Sequence, residues 1–539
     1  MGKQKILLIG IDGGSWSVLN PAFEAGQMPF LQGLCRQGCS GILESTIPAI
    51  TPAAWGAFQA GKNPGQTGVF DFEYWDKEQK RGFFVSSESL GKTIWDILGS
   101  NGYRVGLMNV PMTYPPRAVN GVVVSGLPTP SMDSAFTYPP ELKDSLLAQF
   151  PDYHIFNMKF ISQTMIDDPI LLTEALRDIV KTRAAAARWL LESQPFDVFM
   201  VHFQANDVIQ HMLWHCLDPN HPRFSKSVQM EIFRRFHKTL DEQIQRVCET
   251  FEKQNGGIDL VFVLSDHGFG PHYKRFNVGN WLTQQGYLKR PDPAQAPLLK
   301  KITKTLRVGK LLSLVFPKEK MTRMENAVLK NQIRIWEQAR AFSVGRSGEG
   351  FIYLLEKDAA QREALAGDII SKLRSVTDPE TGTAVVNAIH RKEEIYHGSR
   401  LEHLPDLILI PTEGYSFTGY AQEGNALFHP VQAPADRHIG KHHKDGIFIA
   451  CGKNISAGRT LTASLYDVVP TLLYQLGIGI PAEMDGHVLQ ALYNSDYAAQ
   501  NQPRVSESTS DESDTKAGRV YSAEDEKNIE QRLRDLGYL

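Results

Sequence analysis

Residues 5–14 read KILLIGIDGG, an unbroken aliphatic run that stops at Asp12 and two glycines. Such a run without alternation is the pattern of a strand covered on both faces, as in a parallel sheet flanked by helices. An acidic residue and Gly-Gly at its carboxyl end put a carboxylate where open α/β sheets gather their ligands. One or two lysines precede the run, as in a signal peptide, but it is short, β-branched and leads straight into Asp12, so it reads as the first strand.

Working outward, the same texture recurs in FDVFMVHF (196–203), DLVFVLSDHG (259–268), DLILIP (406–411) and GIFIACG (446–452). Helix-like stretches lie between them, at 15–38, 168–191, 228–253 with a Gly256–Gly257 stop, and 464–477. The alternation predicts an α/β fold, a mostly parallel sheet sandwiched by helices. Asp71–Phe84 and Leu127–Phe160 lack it and read as loops or a cap, and the basic, Pro-punctuated stretch 291–330 reads as an insertion.

The expected organisation is therefore one catalytic domain over 1–498, with insertions at about 71–195 and 290–400. An acidic, disordered linker over 499–521 contains SESTSDESDTKAG. A helix over 522–539 follows, with Ser522 as cap, Asp525 in the capping-box position and a stripe of Ile529, Leu533 and Leu536.

The chain has 539 residues and a net charge of -3, which gives no basic field for displacing counterions from nucleic acid. No apolar run approaches the roughly 20 residues of a membrane span. Five scattered cysteines fit a reducing compartment, so a cytoplasmic location is expected. Cys35 and Cys39, four apart on an expected helix, could share a metal, but with no second Cys or His pair they read as small core residues.

Chemistry concentrates at strand ends. Asp12 ends the first strand, Asp207 follows the second and Asp266–His267 ends the third. Asp207 and His211 are four apart at a helix start and share one face. His202 and His215 lie nearby as core or supporting residues. GKHHKDG (440–446) offers His442 or His443. Three Asp and two to three His suit a pair of borderline cations such as Zn²⁺, with Mn²⁺ or Mg²⁺ as alternatives. In PAITPAAWGAF (48–58), Thr51 precedes Pro52 and reads as a helix N-cap, beside N–H groups suited to phosphate oxygens.

IGIDGG (9–14), PAITPAAWGAFQAGKNPGQTGVFDF (48–72), NDVIQH (206–211), LSDHGFG (264–270) and GKHHKDGIFIACG (440–452) together resemble, in order, the type I phosphodiesterase/nucleotide pyrophosphatase branch of the alkaline phosphatase superfamily. The resemblance implies an alkaline phosphatase-like fold with cap insertions and a metal-dependent phosphodiesterase. It implies that Asp12, Thr51, Asp266 and His267 hold one of two divalent ions, and that Asp207, His211 and His442 hold the other. Thr51 is then the nucleophile of a phosphothreonine-type intermediate, acting on a nucleotide, lipid headgroup or sugar phosphate. Where nucleotide pyrophosphatases carry a phosphate-contacting Asn, this chain has Gly68–Phe72 (GVFDF), with no Asn.

Competing expectations are a phosphomonoesterase or phosphomutase of the same superfamily, a sugar-kinase or actin-like ATPase suggested by GIDGG, and a non-catalytic binding or assembly protein. Thr51 argues against a sulfatase, and Asp266–His267 has no place in the kinase reading.

Overall fold

The computed structural model describes residues 2–76, 81–155, 163–289, 339–345, 348–419, 421, 424–432, 436, 438–507 and 520–536. The expected basic insertion at 291–330 lies outside them. Nine strands form the central sheet: β1 (Ile6–Ile11), β2 (Cys39–Glu44), β3 (Val105–Met108), β4 (Gly121–Val124), β5 (Thr137–Tyr138), β6 (Val198–Phe203), β7 (Leu260–Leu264), β8 (Asp445–Gly452) and β9 (Arg459–Ser464). Their order is β9-β2-β8-β7-β1-β6-β3-β4-β5. The block β7-β1-β6-β3-β4 is parallel throughout.

β1 is buried along its whole length, with alternate side chains serving opposite cores. Leu7, Ile9 and Ile11 join the cluster built with helices Trp16–Glu24, Pro29–Gln37, Pro169–Ser193, Ala205–Leu217 and Lys238–Asn255. Ile6 and Leu8 face the opposite cluster, with Trp55 and Phe58 of helix Thr51–Ala60 and the apolar face of Val468–Gln475. A mainly parallel sheet packed on both sides is the layered arrangement that double burial demands.

Register then sets the site. Gly10 pairs with His202 on one side and Leu264 on the other, so Asp12 and Asp266 end neighbouring strands at the same level. Strands in a sheet lie about 4.8 Å apart, which brings the two carboxylates together across more than half the domain's sequence.

Several expectations change in detail. GIFIACG is a central strand, but β8 runs antiparallel to both β2 and β7. DLILIP is not in the central sheet: Leu407–Pro411 belongs to a separate antiparallel sheet with Ala341–Val344, Gly350–Leu354 and Val386–Arg391. Burial on both faces looks alike in either direction and in either sheet, so periodicity alone does not separate these cases. Asp71–Phe84 contains a hairpin, Glu73–Asp76 with Arg81–Phe84, rather than loop alone. The 228–253 helix is interrupted by a π turn at Phe233–His237. Cys35 lies in helix Pro29–Gln37 whereas Cys39 opens β2, so the pair does not share a helix face.

At the carboxyl end, helix Ser495–Gln500 and a short strand at Val505–Ser506 pack back on the domain, the strand pairing with Ile480–Pro481. Residues 508–519, the most acidic part of the expected linker, lie outside the described residues. Helix Ala523–Leu536 starts with Ser522 Oγ donating to Asp525 Oδ2 at 2.6 Å and accepting from Asp525 N–H at 3.1 Å. It buries Ile529 and Leu533 in the larger core cluster. Among the described residues no helix is long and apolar enough to cross a membrane.

Candidate active site

Two groups of three side chains, Asp12–Asp266–His267 and Asp207–His211–His442, each bring one ligand atom per residue to within 4.8 Å of one another. The groups touch: the His267 and His442 rings stack with centroids 3.7 Å apart. All six residues are buried.

Local sequence explains how each arm is aimed. Gly13 adopts φ +63, turning the chain sharply after Asp12, and its N–H donates to Asp266 Oδ1 at 3.1 Å. In helix Ala205–Leu217 the i, i+4 pair Asn206 and Gln210 clamps that same turn, Asn206 donating to Asp12 O at 2.8 Å and Gln210 to Gly13 O at 2.6 Å. One position further along, Asp207 and His211 form the neighbouring i, i+4 pair and face the site. His211 is oriented through Nδ1 to Gly440 O at 3.0 Å, and His442 through Nδ1 to Ala49 O at 3.2 Å. These contacts leave both Nε2 atoms toward Asp207 Oδ1, at 3.4 and 3.3 Å.

The choice between the paired histidines follows from strand alternation. On strand Gly440–His443, which pairs antiparallel with Gly268–Asn277, His442 faces inward. The His443 side chain is 41% exposed and lies near Asp445. His215 packs beside His221 and belongs to neither group.

Thr51 is the first residue of its helix rather than the cap, because Ile50 holds the extended cap position and Pro52 follows inside the first turn. Boundaries of this kind shift by a residue with small changes in geometry. Thr51 remains at the N-terminal end of the dipole, buried, with Oγ1 3.5 Å from His267 Nε2. The segment that lacks an Asn is core: Val69, Phe70 and Phe72 are all buried.

Electrostatics say what is missing from the protein alone. Burial, then the carboxylates of Asp266 and Asp207, push Asp12 well above the usual carboxylate range. Burial pushes Asp266 to about 7. Burial also lowers His267 to about 4 and His442 to about 3, leaving their ring nitrogens as lone-pair donors at neutral pH. Among the described residues, Asp12 Oδ1 and Asp266 Oδ2 are buried and accept no hydrogen bond. Two buried carboxylates, Asp12 and Asp266, with no ammonium or guanidinium contact among the described residues are costly. Mixed carboxylate and imidazole groups with orphaned, inward oxygens fit divalent cations.

Sequence reasoning did not single out several participants. Asn206 and Gln210 were hidden inside NDVIQH, because their partners are backbone atoms of a distant turn. Glu349, just before strand Gly350–Leu354 of the separate sheet, is buried near the Ala49 backbone, with Oε2 accepting no hydrogen bond among the described residues. Burial raises its carboxyl to about 7, against the opposing effects of the Lys441 ammonium and the Ala49 N–H. No local signal distinguishes Glu349 from a surface acid.

The sequence model of the type I phosphodiesterase / nucleotide pyrophosphatase family matches residues 6–445. The chain belongs to this family. The type I phosphodiesterases are metal-dependent phosphoester hydrolases of the alkaline phosphatase superfamily, and the two buried groups are candidate ligand clusters for that chemistry. No curated protein sequence matches the chain significantly.

Solved structures share the fold at low identity. Phosphonoacetate hydrolase from Sinorhizobium meliloti 1021, in complex with phosphonoformate, has a TM-score of 0.54 and 13% identity, covering 88% of this chain and 95% of that one. Human ectonucleotide pyrophosphatase/phosphodiesterase 5 gives 0.50 and 14%, covering 91% and 100%. The inactive murine protein in complex with AMP gives 0.51 and 14%, with the same coverage.

Proposed function

We propose that this protein is a two-cation phosphodiesterase with Thr51 as nucleophile. The observation that carries the reading is the contact of the two buried ligand groups, through the stacked His267 and His442 rings, beside the helix end that begins with Thr51. Asp12, Thr51, Asp266 and His267 would hold one cation, and Asp207, His211 and His442 the other. Zn²⁺ suits the mixed oxygen and nitrogen donors best, with Mn²⁺ or Mg²⁺ as alternatives. Bound cations supply Lewis acidity at the attacking and leaving oxygens of an in-line displacement.

The chain's own residues do the rest. Thr51 Oγ1 attacks phosphorus as its hydroxyl proton passes to solvent; an O–P bond forms, the ester P–O bond breaks, and the alcohol leaves with a proton from solvent. Water then attacks the phosphothreonine and restores the hydroxyl, so two inversions give net retention. N–H groups in the first turn of the Thr51 helix face non-bridging oxygens, the role that helix N-termini play toward phosphates. All seven ligand residues, Thr51 included, are buried, so the reacting hydroxyl sits away from bulk solvent.

Phosphonoformate and AMP, bound by structural neighbours, are small phosphorus anions. Nucleotides, lipid headgroups and sugar phosphates therefore form the substrate panel. Free cysteines, three of them buried, fit a reducing cytoplasmic setting.

The test compares aryl phosphodiester, phosphomonoester and sulfate substrates at matched metal, with wild type and Thr51→Ala. The expected result is diester preference and a loss of at least about 10³-fold in kcat for Thr51→Ala with metal content retained. Wild-type turnover by the metal-loaded variant would overturn the nucleophile assignment. Monoester preference would replace the diesterase reading with a phosphomonoesterase or mutase.

A further inference from the structure

The two oxygens of Asp12 have different surroundings. Oδ2 lies 2.8 Å from His202 Nε2 and accepts from Trp55 Nε1 at 3.3 Å. Oδ1 accepts no hydrogen bond among the described residues and faces the ligand group, 3.8 Å from His267 Nε2. With a cation on Oδ1 the Asp12 carboxylate is ionised and only accepts, so the His202 nitrogen facing Oδ2 then carries the hydrogen. His202 and Trp55 thus bind the back of Asp12 while its front stays open.

This backing layer is built into the strands. Gly10 is the register partner of His202 on β1, and a Cβ there would lie 2.9 Å from both the His202 and the Trp55 rings. The first glycine of IGIDGG therefore makes room for the two donors. The rings meet edge to face, with centroids 4.9 Å apart. Behind them Arg183, itself buried, donates to His202 O at 3.2 Å and to the carbonyls of His154 and Ile155, fixing the backbone from which the imidazole projects. A buried guanidinium spent on carbonyls has a structural cost, and here its contacts immobilise the strand end under Asp12.

We propose that His202 is a positioning residue for the first cation, occupying Asp12 Oδ2 so that Oδ1 alone is presented as a single-oxygen ligand. The inference rests on the two-cation reading. It assigns His202 a role outside both ligand groups: by hydrogen-bonding a ligating carboxylate it fixes the direction of that ligand, as supporting residues around metal sites do.

The experiment measures zinc binding to the metal-free full chain, by competition with a chromophoric chelator and by metal content, for wild type, His202→Leu and His202→Gln. Leucine fills similar space without a donor; glutamine restores an N–H near the position of Nε2. Wild type is expected to bind two zinc ions. In His202→Leu one of them should weaken by roughly 10–100-fold while the other is unchanged, and His202→Gln should recover most of the loss. Wild-type affinity at both sites in His202→Leu would overturn the proposal, as would a loss in His202→Gln as deep as in His202→Leu, since packing alone would then explain it. Should the leucine variant not fold, His202→Met, a flexible side chain without an N–H, removes the same donor and should weaken the same single site. Two unaltered sites in His202→Met overturn the proposal. A wild-type chain that binds no zinc overturns the two-cation reading itself, a separate and recognisable failure.

Discussion

The Nε2 atoms of His211 and His442 lie 2.9 Å apart, with Asp207 Oδ1 3.4 and 3.3 Å from them. Each imidazole is held from behind by a backbone carbonyl at Nδ1, which turns the opposite nitrogen toward the carboxylate. A nitrogen pair and an oxygen converging on one point form a candidate ligand set for a cation. Replacing His442 by Ala is expected to remove one cation per chain and lower kcat at least about 100-fold. Replacing His443 by Ala should leave metal content unchanged. Elemental analysis with steady-state kinetics checks both, and the reverse pattern would move the ligand to His443.

Cation binding should tighten as pH rises. In the metal-free protein burial raises Asp266 from 3.8 to about 7. Because the folded value lies above the unfolded one, the stability linked to this group is fully present below about 3.8 and is lost as pH climbs through about 7. A cation takes the proton's place on the carboxylate and removes that loss. The gain in Tm on adding zinc is therefore expected to be larger at pH 8 than at pH 6, measured by thermal denaturation at fixed free zinc. An equal or smaller gain at pH 8 would contradict it.

Gly13→Ala should damage fold and site together. The position has φ +63, and a Cβ would lie 2.5 Å from the Phe269 ring. A left-handed backbone for Ala and the displaced ring should together cost about 1–3 kcal/mol. Phe269 packs against His211, His267 and His442, so zinc affinity should fall as well. Urea denaturation of the metal-free chain and a zinc titration read the two effects.

The terminal helix should contribute stability without chemistry. Leu533 is fully buried, and Tyr521 donates to Val85 O at 3.0 Å. Leu533→Ala is expected to cost about 2–5 kcal/mol by leaving a cavity, with zinc stoichiometry and KM unchanged. A denaturation midpoint equal to wild type would show that the helix does not depend on this contact.

How far the sequence reached differs between neighbouring residues. The strands that lead into Asp12, Asp207 and Asp266 are legible because double burial leaves long aliphatic runs. NDVIQH yielded Asp207 and His211 from helical spacing, yet Asn206 and Gln210 beside them stayed silent, since a backbone partner has no residue type to recognise. His202 reads as core or supporting, and only its contact with Asp12 Oδ2 shows which atom it supports. The direction of β8 and the place of Leu407–Pro411 in the separate antiparallel sheet are hidden for the same reason: burial reports coverage, not partner.

The sequence by itself determined the α/β class and the chemistry-bearing residues at strand ends, because periodicity and side-chain type are local properties. The tertiary structure decided how they group: Asp12 with Asp266 and His267, Asp207 with His211 and His442, and Asp12 backed by His202. Those groupings depend on strand register and on the turn at Gly13, where a shift of one residue sends every side chain to the opposite face. That constraint comes from the packing of distant segments, which no local pattern encodes.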